Sequence, residues 1–407
     1  MRKLVIKNFG PVHDAELELK DVNLFIGEQS VGKSTLAKLV TIFTDYSSLA
    51  MIISSGFQGW KRQLVTFNLL VEQGENYLIQ YDLEEGSVRF HIVIRAGKVT
   101  SYIISSSGGR ITNKTTIQEK LFSLKPIYHR EEYIEQIKLV KEKISSLKDT
   151  ATTHITIALQ QILYNSLYIP AERIVYSLFQ KLLPALNLMK DSVAETFLRF
   201  MIEITNAKTK YSYYDSDILN IKYIQDNSED YFVDFVSKKK LPFTNASSGI
   251  QSTLPLLLVL EYAVNYREYS SFVIEEPETN LYPSKQIDLL RFILRKVKSD
   301  NRTVTITTHS PYLLSAMNNS LFAGQLLKDF GEEVQDKIST IPILKSDECS
   351  VYSLGESING KGVYCRSLID IDTGMVDVNA LDRVSFDISD EFDRLSNLYI
   401  ELSRKQQ

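Results

Sequence analysis

Residues 27–35 read "GEQSVGKST", and the reading of this stretch decides the fold. Gly27 and Gly32 bracket four residues and are followed at once by Lys33 and Ser34, the spacing of a phosphate-binding loop. Glycines let backbone N–H groups converge on a polyphosphate without Cβ clashes. Lys33 adds a positive charge, and Ser34 offers a hydroxyl to Mg²⁺ at a helix start. A strand must run into such a loop and a helix must leave it. Both are present, as an apolar run over 16–26, "ELELKDVNLFI", and a helical pattern in "TLAKLVTIF". Gly27, Gln29, Ser30, Gly32, Lys33, Ser34 and Thr35 are therefore the expected ATP contacts.

Two later strands end in groups that suit the same ligand. "FVIEE" (272–276) is a buried-strand pattern closed by two carboxylates, which assigns Glu275 to the metal and Glu276 to the attacking water. "TVTITTHSP" places His309 at the end of a further strand, where ligand groups of parallel sheets gather, and a γ-phosphate contact is expected there. The other histidines, His13, His91, His129 and His154, have no metal-ligand spacing, so zinc is not indicated.

A second glycine–serine cluster, "SSGIQSTLPLLL" (247–258), opens onto an apolar helix. Ser248 and Gly249 at a helix start would form another anion-binding end. A plain serine N-cap with an adjacent glycine would look the same. One γ-phosphate cannot easily use both Lys33 and Ser248 if they lie on separate lobes of one subunit. Two subunits packed head to tail would let each complete the other's site.

Composition narrows the class. The chain has 407 residues, 44% hydrophobic and 24% charged, as soluble globular proteins do. A net charge of −4 excludes a global basic field for nucleic acid, and Lys238–Lys239–Lys240 reads first as a solvated edge. Two cysteines imply no disulfide framework. No apolar run is long enough to span a bilayer, and "MRKLVIKNFG" reads as strand and turn, so a cytoplasmic location without membrane contact is expected.

The organisation expected is α/β: a phosphate-loop ATPase with a mixed β lobe, a parallel core sheet and a helical lobe bearing the serine–glycine cluster. Residues 1–114 form the N-terminal lobe, with hairpins over 65–105. Residues 115–247 form a helical insertion. There Tyr133, Ile137, Val140, Ile144 and Leu147 trace a short heptad seam, either an amphipathic helix on a core or an arm for subunit contact. Residues 248–340 carry the later motifs. Residues 341–407 form a small extension with strand-like pieces "STIPIL", "SVYSLG" and "SLIDID" and a final helix.

Taken in order, "GEQSVGKST", "SSGIQ", "VIEEPETNLYP" and "TTHSP" resemble the motif set of ABC-type ATPases. "IKNFGPV" resembles the start of SMC- and RecF-like ATPases, while "YIPAER", "SSGIQSTLPLL" and "EEPETNLYP" resemble the overcoming-lysogenization-defect (OLD) family. The resemblance implies that Ser248 and Gly249 contact the γ-phosphate in trans with Gln251 beside them. It places Asn280 in the D-loop, and Glu172 where related proteins carry a metal-proximal glutamine.

Glu275 stands in place of the commoner aspartate, and there is no long coiled coil. OLD nucleases add a Toprim domain with a glutamate and an Asp-x-Asp pair. Glu356 and Asp370-x-Asp372 are the candidates, but the segment after His309 is too short for it, and the pair reads first as a hairpin turn before "TGMV". Stand-alone relatives of this size resemble the ATPases of anti-phage systems such as Septu and PARIS. The implied function is therefore an ATP-driven switch, a homodimer or higher oligomer controlling a separate nuclease effector. The alternative is a RecF- or SMC-like ATPase that binds DNA in repair or recombination.

Overall fold

The computed structural model describes residues 1–69, 76–85, 88–105, 110–112, 165–179, 195–226, 229–266, 269–298, 302–355, 365–377 and 389–396. The chain opens with β1 (Arg2–Phe9), β2 (Val12–Glu18) and β3 (Val22–Gly27), then α1 (Lys33–Thr44), α2 (Tyr46–Ser55) and α3 (Phe57–Thr66). Asp45 caps α2 by accepting from Ser48 N at 2.9 Å, which satisfies one of the orphan amides of a helix start. Hairpin strands β4 (Leu78–Glu85), β5 (Val88–Arg95), β6 (Lys98–Ser105) and β7 (Arg110–Thr112) follow.

Next come β8 (Ser166–Ile169), α4 (Val175–Phe179) and α5 (Glu195–Lys210), then β9 (Tyr213–Ser216), β10 (Ile221–Asp226), β11 (Glu229–Asp234) and β12 (Lys240–Pro242). The rest runs α6 (Ser248–Tyr266), β13 (Ser271–Glu275), α7 (Pro283–Lys298), β14 (Thr303–Thr308), α8 (Pro311–Phe330), α9 (Glu332–Ile338), β15 (Cys349–Leu354) and β16 (Cys365–Ser367).

Among the described residues the strands form three sheets. The core sheet has the order β16-β15-β3-β14-β13-β8. Strands β15, β3, β14, β13 and β8 are parallel and β16 closes the edge antiparallel. Both faces are covered, as a parallel sheet requires. Leu24, Ile26, Ile169, Phe272, Ile274 and Ile306 face a cluster built with α5, α6, α7 and α8. Phe25, Tyr168, Val273 and Tyr352 face the other way, toward α1 and the antiparallel sheet β2-β1-β4-β5-β6-β7. The third sheet, β12-β11-β10-β9, packs Ile221, Tyr223 and Phe232 into the α6 side. Among the described residues no helix is long and apolar enough to cross a membrane.

The α/β architecture with a parallel core sheet agrees with the sequence reading, but several segments differ. The single strand expected over 16–26 is two strands. Asn23 turns the chain by accepting from Lys20 N and donating to Lys20 O at 2.8 and 2.9 Å, so β2 joins the outer sheet and β3 the core. The hairpins begin at Leu78, because residues 57–66 are helical.

"SVYSLG" belongs to no appendage: β15 pairs in parallel with the phosphate-loop strand from Cys349↔Val22 to Leu354↔Gly27. "STIPIL" forms no strand. Asp370 takes Thr373 N and Oγ1, each at 2.8 Å, in a turn closed by the Ile369↔Val376 bridge, which matches the hairpin reading of Asp-x-Asp. The heptad seam over 133–147 and Glu356 lie outside the described residues. Lys240 pairs with Asp226 at 3.0 Å on an exposed edge strand, as a solvated edge would.

Candidate nucleotide site

Parallel pairing brings the carboxyl ends of β3, β14, β13 and β8 to one end of the core sheet, so the groups that follow each strand meet there. Gly32 starts α1 at φ 96°, and a Cβ on it would stand 2.9 Å from Val12 Cγ2, so only glycine fits. Ser30, Glu276 and Asn280 hold positive φ values of 64°, 41° and 63°. Non-glycine residues reach that region at a cost, and such strain clusters at functional sites.

Lys33 is 4% exposed and curls back under its own loop, donating to Gly27 O at 2.9 Å and Glu28 O at 2.6 Å. Its Nζ also lies 3.3 Å from His309 Nδ1, and His309 Nε2 lies 2.9 Å from Glu276 Oε1. The ammonium can only donate, so this line calls for the Nε2–H tautomer of His309. Burial lowers the Lys33 pKa, opposed by the charges of Glu276, Glu278 and Glu275. Ser34 is exposed at the mouth of the loop, as are Gln29 and Ser30, while Thr35 is half-buried.

Glu275 is buried, and desolvation holds its carboxyl above the usual range, partly offset by hydrogen bonds from Tyr168 and Ser34 and by Lys38. Its Oε1 has no hydrogen-bond partner. Ser34 and Glu275 thus stand side by side with one oxygen unspent, which fits Mg²⁺. That ion takes one or two protein oxygens and leaves the rest to phosphates and water. No cluster of three His, Cys, Asp or Glu able to hold a metal exists among the described residues. Glu172 is exposed and reaches Glu275 only through its charge, so no hydrogen bond ties it to the metal position.

The second cluster meets the turn that follows β13. Ser247, not Ser248, caps α6, accepting from Ile250 N at 3.4 Å, which leaves Ser248 exposed. Gly249 packs against the turn after β13, where a Cβ would stand 2.7 Å from Asn280 O. Ser252 donates to Thr279 O at 3.1 Å, and Thr279 Oγ1 donates to Glu276 O at 2.8 Å. Among the described residues no hydrogen bond joins Ser248 or Gly249 to the phosphate loop. Gln251, expected beside the phosphate, is committed otherwise. Its amide donates to Thr244 O and Ala246 O, both at 3.0 Å, and accepts from Ser177 at 2.9 Å, so it shapes the loop before its own helix.

Two residues escaped the motif reading. Glu278 accepts from Thr308 Oγ1 at 2.5 Å and His309 N at 2.9 Å, fixing the backbone that carries the histidine. Arg173 is fully buried and bonds the carbonyls of Glu275 and Glu276. The signals were present as a charged residue just past a strand in "YIPAER" and a third carboxylate in "EEPET", but neither pattern names a partner.

No curated protein sequence matches the chain. Among solved structures it is similar to the SMC head domain from Thermotoga maritima, at 11% identity, TM-score 0.38, over 90% of this chain and 97% of that one. It is similar to an SmcHead bound to the C-winged helix domain of ScpA, at 11% identity, TM-score 0.42, over 90% and 96%. A third is an Smc head with an extended coiled coil bound to the C-terminal domain of ScpA derived from Pyrococcus furiosus, at 13%, TM-score 0.36, over 77% and 92%. The family model described as AAA ATPase domain matches residues 1–168 and 98–314, a span that includes the phosphate loop, both strand-end glutamates and His309. The chain belongs to the AAA ATPase domain family.

Proposed function

We propose that this ATPase works as a switch whose hydrolytic site is completed by a second copy, and that the closed pair controls a separate effector protein, a nuclease, in anti-phage defence. The observation that carries the composite site is a separation. Lys33, His309 and Glu276 form one line of contacts and Ser34 pairs with Glu275, while Ser248 is exposed and its neighbour Gly249 packs on Asn280. An α6 start turned outward is free to meet a phosphate held by another molecule, with amide dipoles aimed at negative charge. The resemblance of the motif set to stand-alone anti-phage ATPases supports the effector role.

In this reading Lys33 leaves the Gly27 and Glu28 carbonyls for the β- and γ-phosphates. His309 exchanges its Lys33 contact for the γ-phosphate. Glu276 orients the attacking water and takes its proton, and Ser248 with the Gly249 amide of the second copy steadies the charge that develops on the transferring group. Mg²⁺ held by Ser34 and Glu275 would neutralise phosphate charge.

Glu276→Gln tests this. With ATP and Mg²⁺ it should run as a dimer in sedimentation velocity and turn over at least about 100-fold more slowly than wild type. A Glu276→Gln chain that stays monomeric with saturating ATP at every concentration would sink the composite site. For the effector, co-purification with the product of an adjacent gene is expected. ATP-dependent, salt-sensitive binding to duplex DNA without such a partner would favour the DNA-clamp alternative instead.

A further inference from the structure

Among the described residues near the site Arg173 is a fully buried cation; it ends "YIPAER", and the motif reading gave it no role. Its guanidinium spends its donors on main-chain carbonyls. Nη1 donates to Pro170 O and Glu275 O, both at 2.6 Å, Nη2 to Glu276 O at 2.8 Å, and Nε to Ser252 O at 3.2 Å. These carbonyls belong to three elements: the turn after β8, the end of β13 and the second turn of α6. Burial draws the arginine down to about 10, opposed by Glu278, Glu275, Glu172 and Glu276, so it stays charged at neutral pH.

The contacts close a ring. Ser252 gives its carbonyl to Arg173 and its hydroxyl to Thr279 O and Gly249 O, at 3.1 and 3.2 Å. Thr279 returns to Glu276 O at 2.8 Å, and that carbonyl already holds Arg173. The ring thus contains both the glycine at the start of α6 and the backbone of Glu276, the latter held at φ 41°. A planar fork with five donors suits several carbonyls at once, which a lysine ammonium on a flexible stem cannot match. A buried ion is a poor device for stability alone.

We propose that Arg173 is a positioning residue that locks the serine–glycine start of α6 to Glu276, so that engagement of Ser248 by nucleotide on a second copy sets the carboxylate that activates water. The inference rests on the composite-site reading above and deepens it. It predicts that Arg173 governs the rate of hydrolysis and leaves the phosphate loop's own grip on nucleotide intact.

Wild type, Arg173→Lys, Arg173→Ala and Glu276→Gln would be compared for binding of a fluorescent ATP analogue, steady-state hydrolysis and melting temperature. For Arg173→Lys the expected result is analogue affinity within about threefold of wild type and turnover lowered about 100-fold, a loss in kcat and not in KM. Guanidinium added at sub-denaturing concentration should raise the turnover of Arg173→Ala about tenfold or more and leave Glu276→Gln unchanged. Arg173→Lys turning over within about threefold of an active wild type would overturn the inference. So would affinity, melting temperature and turnover falling together in Arg173→Lys, which would make the residue a structural strut. A wild-type chain without hydrolysis would reject the ATPase site itself, and the inference with it.

Discussion

Gly249→Ala adds a single methyl where the structure has no room for one. The new Cβ would stand 2.7 Å from the Asn280 carbonyl oxygen. Carbon–oxygen contacts settle near about 3.3 Å, so about 0.6 Å must come from moving backbone on one side or the other. The turn after β13 cannot move alone. Thr279 is held by Ser252 and itself holds Glu276 O at 2.8 Å, and Asn280 already sits at φ 63°.

Overpacking of this kind costs about 1–3 kcal/mol, and the better helix propensity of alanine returns about 1 kcal/mol, a net loss of about 0–2 kcal/mol. Hydrolysis should suffer more than stability. A shift of that size passed to Glu276 is expected to lower turnover about 10- to 100-fold. Among the described residues no hydrogen bond joins Lys33 to Gly249 or Asn280, so nucleotide affinity should stay within about threefold. Steady-state hydrolysis, analogue binding and thermal melting on the same preparation read all three quantities. Wild-type turnover in Gly249→Ala would refute the coupling of the α6 start to Glu276 through the turn after β13.

Glu278→Ala removes the acceptor for Thr308 Oγ1 and His309 N, leaving buried donors unmet. A stability loss of about 1–3 kcal/mol is expected by chemical denaturation, with turnover down about tenfold. Glu278→Gln keeps a carbonyl oxygen there and should recover most of both; equal behaviour of the two variants would contradict the anchoring role. Gly324→Ala would place a Cβ 1.9 Å from Leu344 O, between α8 and the approach to β15. It should lower stability by about 3 kcal/mol, read as a drop of several degrees in melting temperature. An unchanged melting point would contradict that packing.

How far the chain could be read without its structure follows from where the information lies. Gly27 to Thr35 was legible because every element of a phosphate loop is local, from the glycine spacing to the strand before it and the helix after it. The meeting of Glu276 and His309 was legible because each ends a short buried run, and parallel pairing does the rest. Arg173 was not, since its carbonyl partners at Ser252, Glu275 and Glu276 lie 79, 102 and 103 residues away.

"SVYSLG" was read as strand-like, but its place in the core sheet was missed for the same reason. "CSVYSL" has the pattern of any short strand, and its parallel partner is β3 at the far end of the chain. Gln251 was placed beside Ser248 and Gly249 by the resemblance, which says nothing of its bonds within the chain. On a helix its side chain points back toward the N-terminus and finds the open carbonyls of Thr244 and Ala246.

Mixing two dead variants tests the composite site most directly. Lys33→Ala spoils the phosphate loop, and Ser248→Arg spoils the α6 start, so each alone should be inactive. In an equal mixture half of the dimers pair one of each. Every such pair has one site built from two intact halves, so about one quarter of wild-type turnover is predicted. Turnover no greater than the sum of the two variants measured separately would contradict a site shared between copies.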